Sequence, residues 1–205
     1  MNDFIEFIKN RRKMNLAIVL INIAVYIVTE CLGNTEDASY MLKCGAAYTP
    51  YILDGEYWRL ITAMFLHFGF RHLLYNMISL LFLGDILETV VGPVRYVLIY
   101  LIGGIAGNVV SMLWTMNRTE IVVSAGASGG IMAVTGAIAC IAVRNRRILG
   151  ENSTKRLMLM VVLMIMQGVI EKGVDNAAHL GGLAAGALLA VLLWRVPGRQ
   201  RKKDM

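Results

Sequence analysis

Six stretches of this chain are too apolar, for too long, to suit a soluble domain. They cover residues 15–31, 72–91, 96–116, 128–143, 157–170 and 176–194. A helix needs about 20 such residues to cross a hydrocarbon layer about 30 Å thick. Inside lipid every backbone N–H and C=O must be bonded within the segment or its barrel, which leaves only helices and closed β-barrels. No run of alternating polarity suggests strands. The expected fold is an all-α membrane protein: a six-transmembrane-helix bundle over 15–195, with a long outer loop between helices 1 and 2. Short basic ends, 1–14 and 196–205, flank it. Composition agrees, with 57% hydrophobic and 17% charged residues and a mean hydropathy of +0.61, where soluble domains carry about 25% charged residues.

The charges supply the direction. The net charge is +6, but the basic residues form no continuous face, so nucleic acid is not an expected partner. They sit between the apolar segments instead. With both termini on one side, fifteen of the 20 Lys and Arg fall there and five on the other. The positive-inside rule then makes both termini cytosolic. The basic start followed by an apolar run resembles a signal peptide, but the run is long and no A-x-A site follows, so it is read as a retained first span. Cys31, Cys44 and Cys140 have no metal or redox spacing. Cys31 and Cys44 flank the long loop and could pair on an oxidising side, and Cys140 reads as a small packing residue. In the loop, 32–71, Tyr48, Tyr51, Tyr57, Trp58 and Phe65 suggest segments lying in the membrane interface.

Within this frame, Gly126-Ala127-Ser128-Gly129-Gly130 is notable. The pattern G-x-S-x-G is the nucleophile elbow of soluble hydrolases, but that reading needs a strand before the serine, and here Ser128 opens a membrane helix. Counting from the cytosolic ends fixes its depth. Ser128 lies 16 residues from Arg144, His179 lies 16 from Arg195, and Asn76 lies 16 from Gly92. At about 1.5 Å per residue each sits roughly 24 Å above the inner boundary, a few ångströms below the outer face.

Polar groups at such depth are costly and usually functional. A serine hydroxyl needs a base to become a nucleophile, and an imidazole within reach serves. No acidic residue is placed to complete a triad, Asp175 being expected at the surface, so a Ser128–His179 dyad is expected. His72 and Asn76 are four residues apart, on one helix face, and can donate to an oxyanion together with the Ser128 amide. His67 lies across Gly69 from His72, off that face. With no acidic ligands nearby, neither a metal nor a cofactor is expected. Gly182 and Gly186 form G-x-x-x-G near the His179 face, matching Gly129, Ala133, Gly136, Ala137 and Cys140 on the fourth span. Small residues let helix backbones approach closely. Gly103, Gly107 and Ser111 on the third span read as the same pattern without chemistry.

Taken together, these residues resemble the rhomboid family of intramembrane serine proteases. The resemblance covers about residues 58–186. It rests on Trp58-Arg59, on His67, His72 and Asn76, and on Glu88 with Gly92. It also rests on Gly126-Ala127-Ser128-Gly129 and on Asn176-Ala177-Ala178-His179 with Gly182 and Gly186. It implies the minimal six-helix bacterial plan in a plasma membrane, a catalytic Ser128 and His179, and an oxyanion hole from His72, Asn76 and the Ser128 amide. It gives supporting roles to His67, Trp58, Arg59, Glu88, Gly126, Gly129, Asn176, Gly182 and Gly186. The implied partners are the lipid bilayer and single-span transmembrane substrates, which enter laterally past helices 2 and 5 and are cut after a small residue near helix-breaking ones. The fifth span has 14 uncharged residues, roughly 21 Å. It is short enough to act as a gate unless 151–156 extend it.

Two alternatives stand beside this reading. A membrane chaperone or adaptor with the same fold would bind without cleaving, and the intact serine and histidine argue against it. A transporter would show an inverted repeat between halves, and spans 1–3 do not resemble spans 4–6.

Overall fold

The computed structural model describes residues 12–117, 122–145 and 174–194. The expected fifth span and gate, 157–170, and most of the two basic ends lie outside the described residues.

Five of the expected spans are helices. They are α1 (Lys13–Leu32), α5 (Gly69–Val91), α6 (Pro93–Thr115), α7 (Ser128–Arg144) and α8 (Asn176–Leu193). Four of them are long and apolar enough to cross a membrane, and α7 is a shorter apolar helix of 17 residues. Between α1 and α5 the long connection folds into three short helices, α2 (Ala38–Cys44), α3 (Thr49–Leu53) and α4 (Arg59–Thr62), followed by a 3₁₀ turn, Ala63–Phe65.

Burial follows helical periodicity. On α5, Leu73, Asn76, Met77, Leu80, Leu83, Gly84 and Leu87 are buried, while Phe70, Leu74, Ile78, Phe82 and Ile86 are exposed, each apolar and four residues from the next. Apolar residues on both sides of a helix mean protein on one and lipid on the other. On α7 burial is unbroken from Gly129 to Ile138, so this helix runs through the middle of the bundle. Gly92, with φ +84°, makes the sharp turn from α5 to α6, and Pro93 starts α6 where its missing N–H is not needed.

The end of the bundle near Gly92 is tied by polar contacts. The Glu88 carboxylate, 6% exposed, accepts from the Asn15 amide at 2.8 Å and the Met14 amide at 3.3 Å, satisfying N–H groups that the start of α1 leaves open. Asn15 donates to Asp85 at 2.7 Å and accepts from the Tyr96 hydroxyl at 2.7 Å. These bonds join α1, α5 and α6. In the long connection, Arg59 is 5% exposed and donates to the carbonyls of Leu42 (2.7 Å) and Ala46 (2.9 Å) and to Glu56 (2.6 Å). Its guanidinium lies over the rings of Trp58 and Tyr51, at 4.6 and 5.0 Å. Arg59 therefore holds the segment between α2 and α3 in place, with the half-exposed Trp58 as its cover. Cys31 and Cys44 are separate free thiols.

One element departs from the expectation of no strand. Ala47–Tyr48 (β1) pairs antiparallel with Val123–Ser124 (β2), Ala47 opposite Ser124. Two residues per strand leave no readable alternation, so hydropathy does not reveal the pair. Its position matters, because it anchors the segment just before Ser128 to the long connection.

Candidate active site

The segment leading to Ser128 is held at three points. The β pair fixes Val123 and Ser124, the Gly126 amide donates to the Ala63 carbonyl at 2.8 Å, and the Ala127 amide donates to His67 Nε2 at 3.3 Å. His67 is fully buried. Because its Nε2 accepts, its proton sits on Nδ1. Burial, and then the charge of the neighbouring His72, push its pKa down to about 3, against a smaller raising effect of the Phe65 backbone. A neutral ring is what the bond to Ala127 requires. The two imidazoles meet edge to face, centroids 5.2 Å apart.

Gly126 has φ +139°, a region that favours glycine. A Cβ there would lie 2.7 Å from His72 Cε1 and 2.9 Å from Nε2, with Ser128 Oγ 3.8 Å away. The missing side chain therefore lets the His72 ring and the Ser128 hydroxyl converge on one space. Ser128 is the first residue of α7, and its N–H is one of four that the helix leaves without a carbonyl. Asn76 is 6% exposed, and its Nδ2 donates one hydrogen to the His72 carbonyl at 2.8 Å, with the second left for other use.

The small residues bring α6, α7 and α8 to backbone contact. A Cβ on Gly182 would strike the Gly129 carbonyl, one on Gly186 the Ala133 carbonyl, and one on Gly136 the Leu183 carbonyl. Gly182 thus faces Gly129, and one turn further along Gly186 faces Ala133. Ser128 comes one residue before Gly129, and His179 three residues before Gly182. The serine and the histidine are then offset by about two residues, roughly 3 Å along the axis. Asn176 opens α8 on its exposed side.

Two expectations change. Gly103 and Gly107 are part of the same seam. A Cβ on Gly107 would lie 2.7 Å from the Ala178 carbonyl oxygen, and one on Gly103 would strike Ala133. Spacing alone did not show which neighbour they face. Asp175 is half-buried, and caps α8. Its Oδ1 accepts from the Ala178 amide at 2.9 Å and its Oδ2 from the Ser111 hydroxyl of α6 at 2.6 Å. An Asp three residues before the end of the first helical turn is an N-cap signal that sequence reasoning missed. The bond to Ser111 had no such signal. Among the described residues no group of His, Cys, Asp and Glu is arranged to hold a metal.

Membrane-length helices around a buried central one, with hydroxyl, imidazole and amide groups toward one end, define a multi-pass membrane protein. The chain belongs to the rhomboid family: the family's Rhomboid domain matches residues 54–196. It is 30% identical over 175 residues to Rhomboid protease GluP of Bacillus subtilis (strain 168), covering 85% of this chain and 34% of that one. It is 30% identical over 215 residues to Rhomboid protease AarA of Providencia stuartii, covering 94% and 76%. With RHOMBOID-like protein 5 of Arabidopsis thaliana it shares 40% over 153 residues, covering 74% and 48%. The chain thus spans between about a third and three quarters of the length of these relatives.

Proposed function

We propose that the chain is an intramembrane serine endopeptidase that cleaves single-span membrane proteins in or near their transmembrane segments. The observation that carries this reading is the register of α7 and α8. Glycine-to-backbone contacts leave the start of one helix and the first turn of the other side by side, with Ser128 and His179 on them. The names of GluP and AarA as proteases support it.

In this reading His179 takes the proton from Ser128 Oγ as the oxygen attacks the scissile carbonyl, then returns it to the leaving amine. Charge on the carbonyl oxygen is met by the Ser128 amide at the positive end of α7, by His72 and by the second N–H of Asn76. Water then hydrolyses the acyl-enzyme. His67, Arg59 and Trp58 support the approach to Ser128, and Glu88 secures α1 to α5. Gly126, Gly182 and Gly186 permit the close approaches, Gly129 offers the carbonyl that Gly182 packs on, and Asn176 opens the helix that carries the base. The topology that goes with it places both termini in the cytosol and the site just below the opposite surface of the plasma membrane.

The test is a purified protein incubated with single-span clients, with the cut located by mass spectrometry, beside Ser128→Ala. Wild-type protein should cleave and be labelled by a fluorophosphonate, and the variant should do neither. Client processing that survives Ser128→Ala would favour the adaptor instead.

A further inference from the structure

We propose that Asp175 is a positioning residue for His179, a carboxylate fixed at the head of α8 that favours the imidazolium formed during serine attack. This rests on the reading of His179 as the general base. Both carboxylate oxygens are occupied: Oδ1 by the Ala178 amide at 2.9 Å, Oδ2 by the Ser111 hydroxyl at 2.6 Å. The Asp175 carbonyl accepts from the His179 amide at 3.0 Å, so backbone and side chain of one residue both hold the turn that carries the imidazole. Ser111 belongs to α6, whose Gly107 lies against the Ala178 carbonyl. The carboxylate is therefore fixed in direction by a second helix, beyond what an ordinary cap provides.

The electrostatics follow from the position. His179 sits in the first turn of α8, where the helix dipole contributes about +0.5 of a charge. That charge opposes a second positive charge on the ring. Asp175 caps the turn that carries His179, within one helical turn of it, and the sign of a carboxylate offsets the dipole. From α6 the neighbours of this turn are Gly107, Val110 and Ser111, and from α7 Gly129. None of these carries a charge, and the titratable group beside Ser128 from α5 is His72. In the reaction the proton passes from Ser128 Oγ to His179 and on to the leaving amine. Asp175 exchanges no atom in this path, and its carboxylate lowers the cost of the imidazolium.

The test uses Asp175→Asn, which keeps an N-cap acceptor and a partner for Ser111 but removes the charge. The full chain is assayed on a single-span client across pH, with Tm measured in parallel. The expected result is a kcat about tenfold lower with KM held, an acid limb about one pH unit lower, and an unchanged Tm. Ser111→Ala, which frees the carboxylate without removing it, should lower kcat by a smaller factor in the same direction, and covers the case in which the Asn variant fails to fold. Wild-type kcat and acid limb in Asp175→Asn overturn the proposal, as does wild-type kcat in Ser111→Ala where only that variant folds. If wild-type protein neither cleaves nor labels at Ser128, the protease reading falls and this inference with it. If it does both and the variants match it, only this inference falls.

Discussion

Alanine at position 186 is the sharpest perturbation of the seam that sets the site. Its Cβ would lie 2.5 Å from both the Cα and the carbonyl carbon of Ala133, and closer still to the carbonyl oxygen. Carbon atoms pack at about 3.5–4.0 Å, so α7 and α8 must part by about 1 Å at this level. The struck atoms are all backbone, and no rotamer change relieves them. Overpacking of this kind costs about 1–3 kcal/mol. The larger effect is on chemistry, because His179 lies two turns up the same helix, and a misplacement of about 1 Å can cost about 100-fold in rate. Gly186→Ala should therefore lower kcat on a single-span client about 100-fold and Tm by several degrees. Leu188→Ala, on a side chain 61% exposed to lipid, provides the control and should leave turnover close to wild type. Gly186→Ala with wild-type turnover and wild-type Tm would refute the claim that backbone contact between α7 and α8 sets the site.

Other perturbations address other parts of the molecule. His72→Ala and Asn76→Ala should each lower kcat by about 10- to 1000-fold with Ser128 still labelled, as expected for loss of one oxyanion donor, and steady-state kinetics beside fluorophosphonate labelling checks both. Glu88→Ala leaves the Asn15 and Met14 amides without their acceptor and should lower stability by about 1–2 kcal/mol, read as a lower Tm in detergent. Acid should destabilise the fold through His67. Its pKa is about 3 in the folded chain and near 6.5 free, so between those values the unfolded chain binds the proton that the folded chain refuses. Stability is then complete above about pH 6.5 and is lost progressively toward pH 3, which a Tm series across that range measures. A Tm that stays flat through it would place the proton on the folded His67.

The spans were legible because lipid imposes a length and a composition on any helix that crosses it. The alternation on α5 between Leu73, Met77 and Leu80 on one side and Leu74, Ile78 and Phe82 on the other is a direct print of that constraint. Gly182 and Gly186 were legible as a small-residue stripe, since close packing in lipid selects glycine. What escaped was tertiary. The β1–β2 pair is two residues on each side, too short for any period. Gly107 looks the same in sequence whether it faces lipid or the Ala178 carbonyl. Asp175 offered a local cap signal, but its bond to Ser111 joins residues 64 positions apart, and no local pattern reports that.

These hidden contacts share a role. Within lipid, apolar burial does little to pull helices together, because the surrounding tails are as apolar as the side chains. Position must come from backbone contact and from polar bonds. The molecule uses backbone contact along the seam, where Gly103, Gly107, Gly136, Gly182 and Gly186 lack a Cβ that would strike the neighbouring helix. It uses polar bonds at the end of the seam near Ser128, where Ser111 holds Asp175, His67 holds Ala127 and Ala63 holds Gly126. Ser128 and His179 themselves sit where these two systems meet. Substitutions that add atoms along the seam should therefore harm catalysis more than stability, while those at the Glu88 end should harm stability more than catalysis. A reversal of that order between Gly186→Ala and Glu88→Ala would mean that the register of the helices is set elsewhere in the bundle.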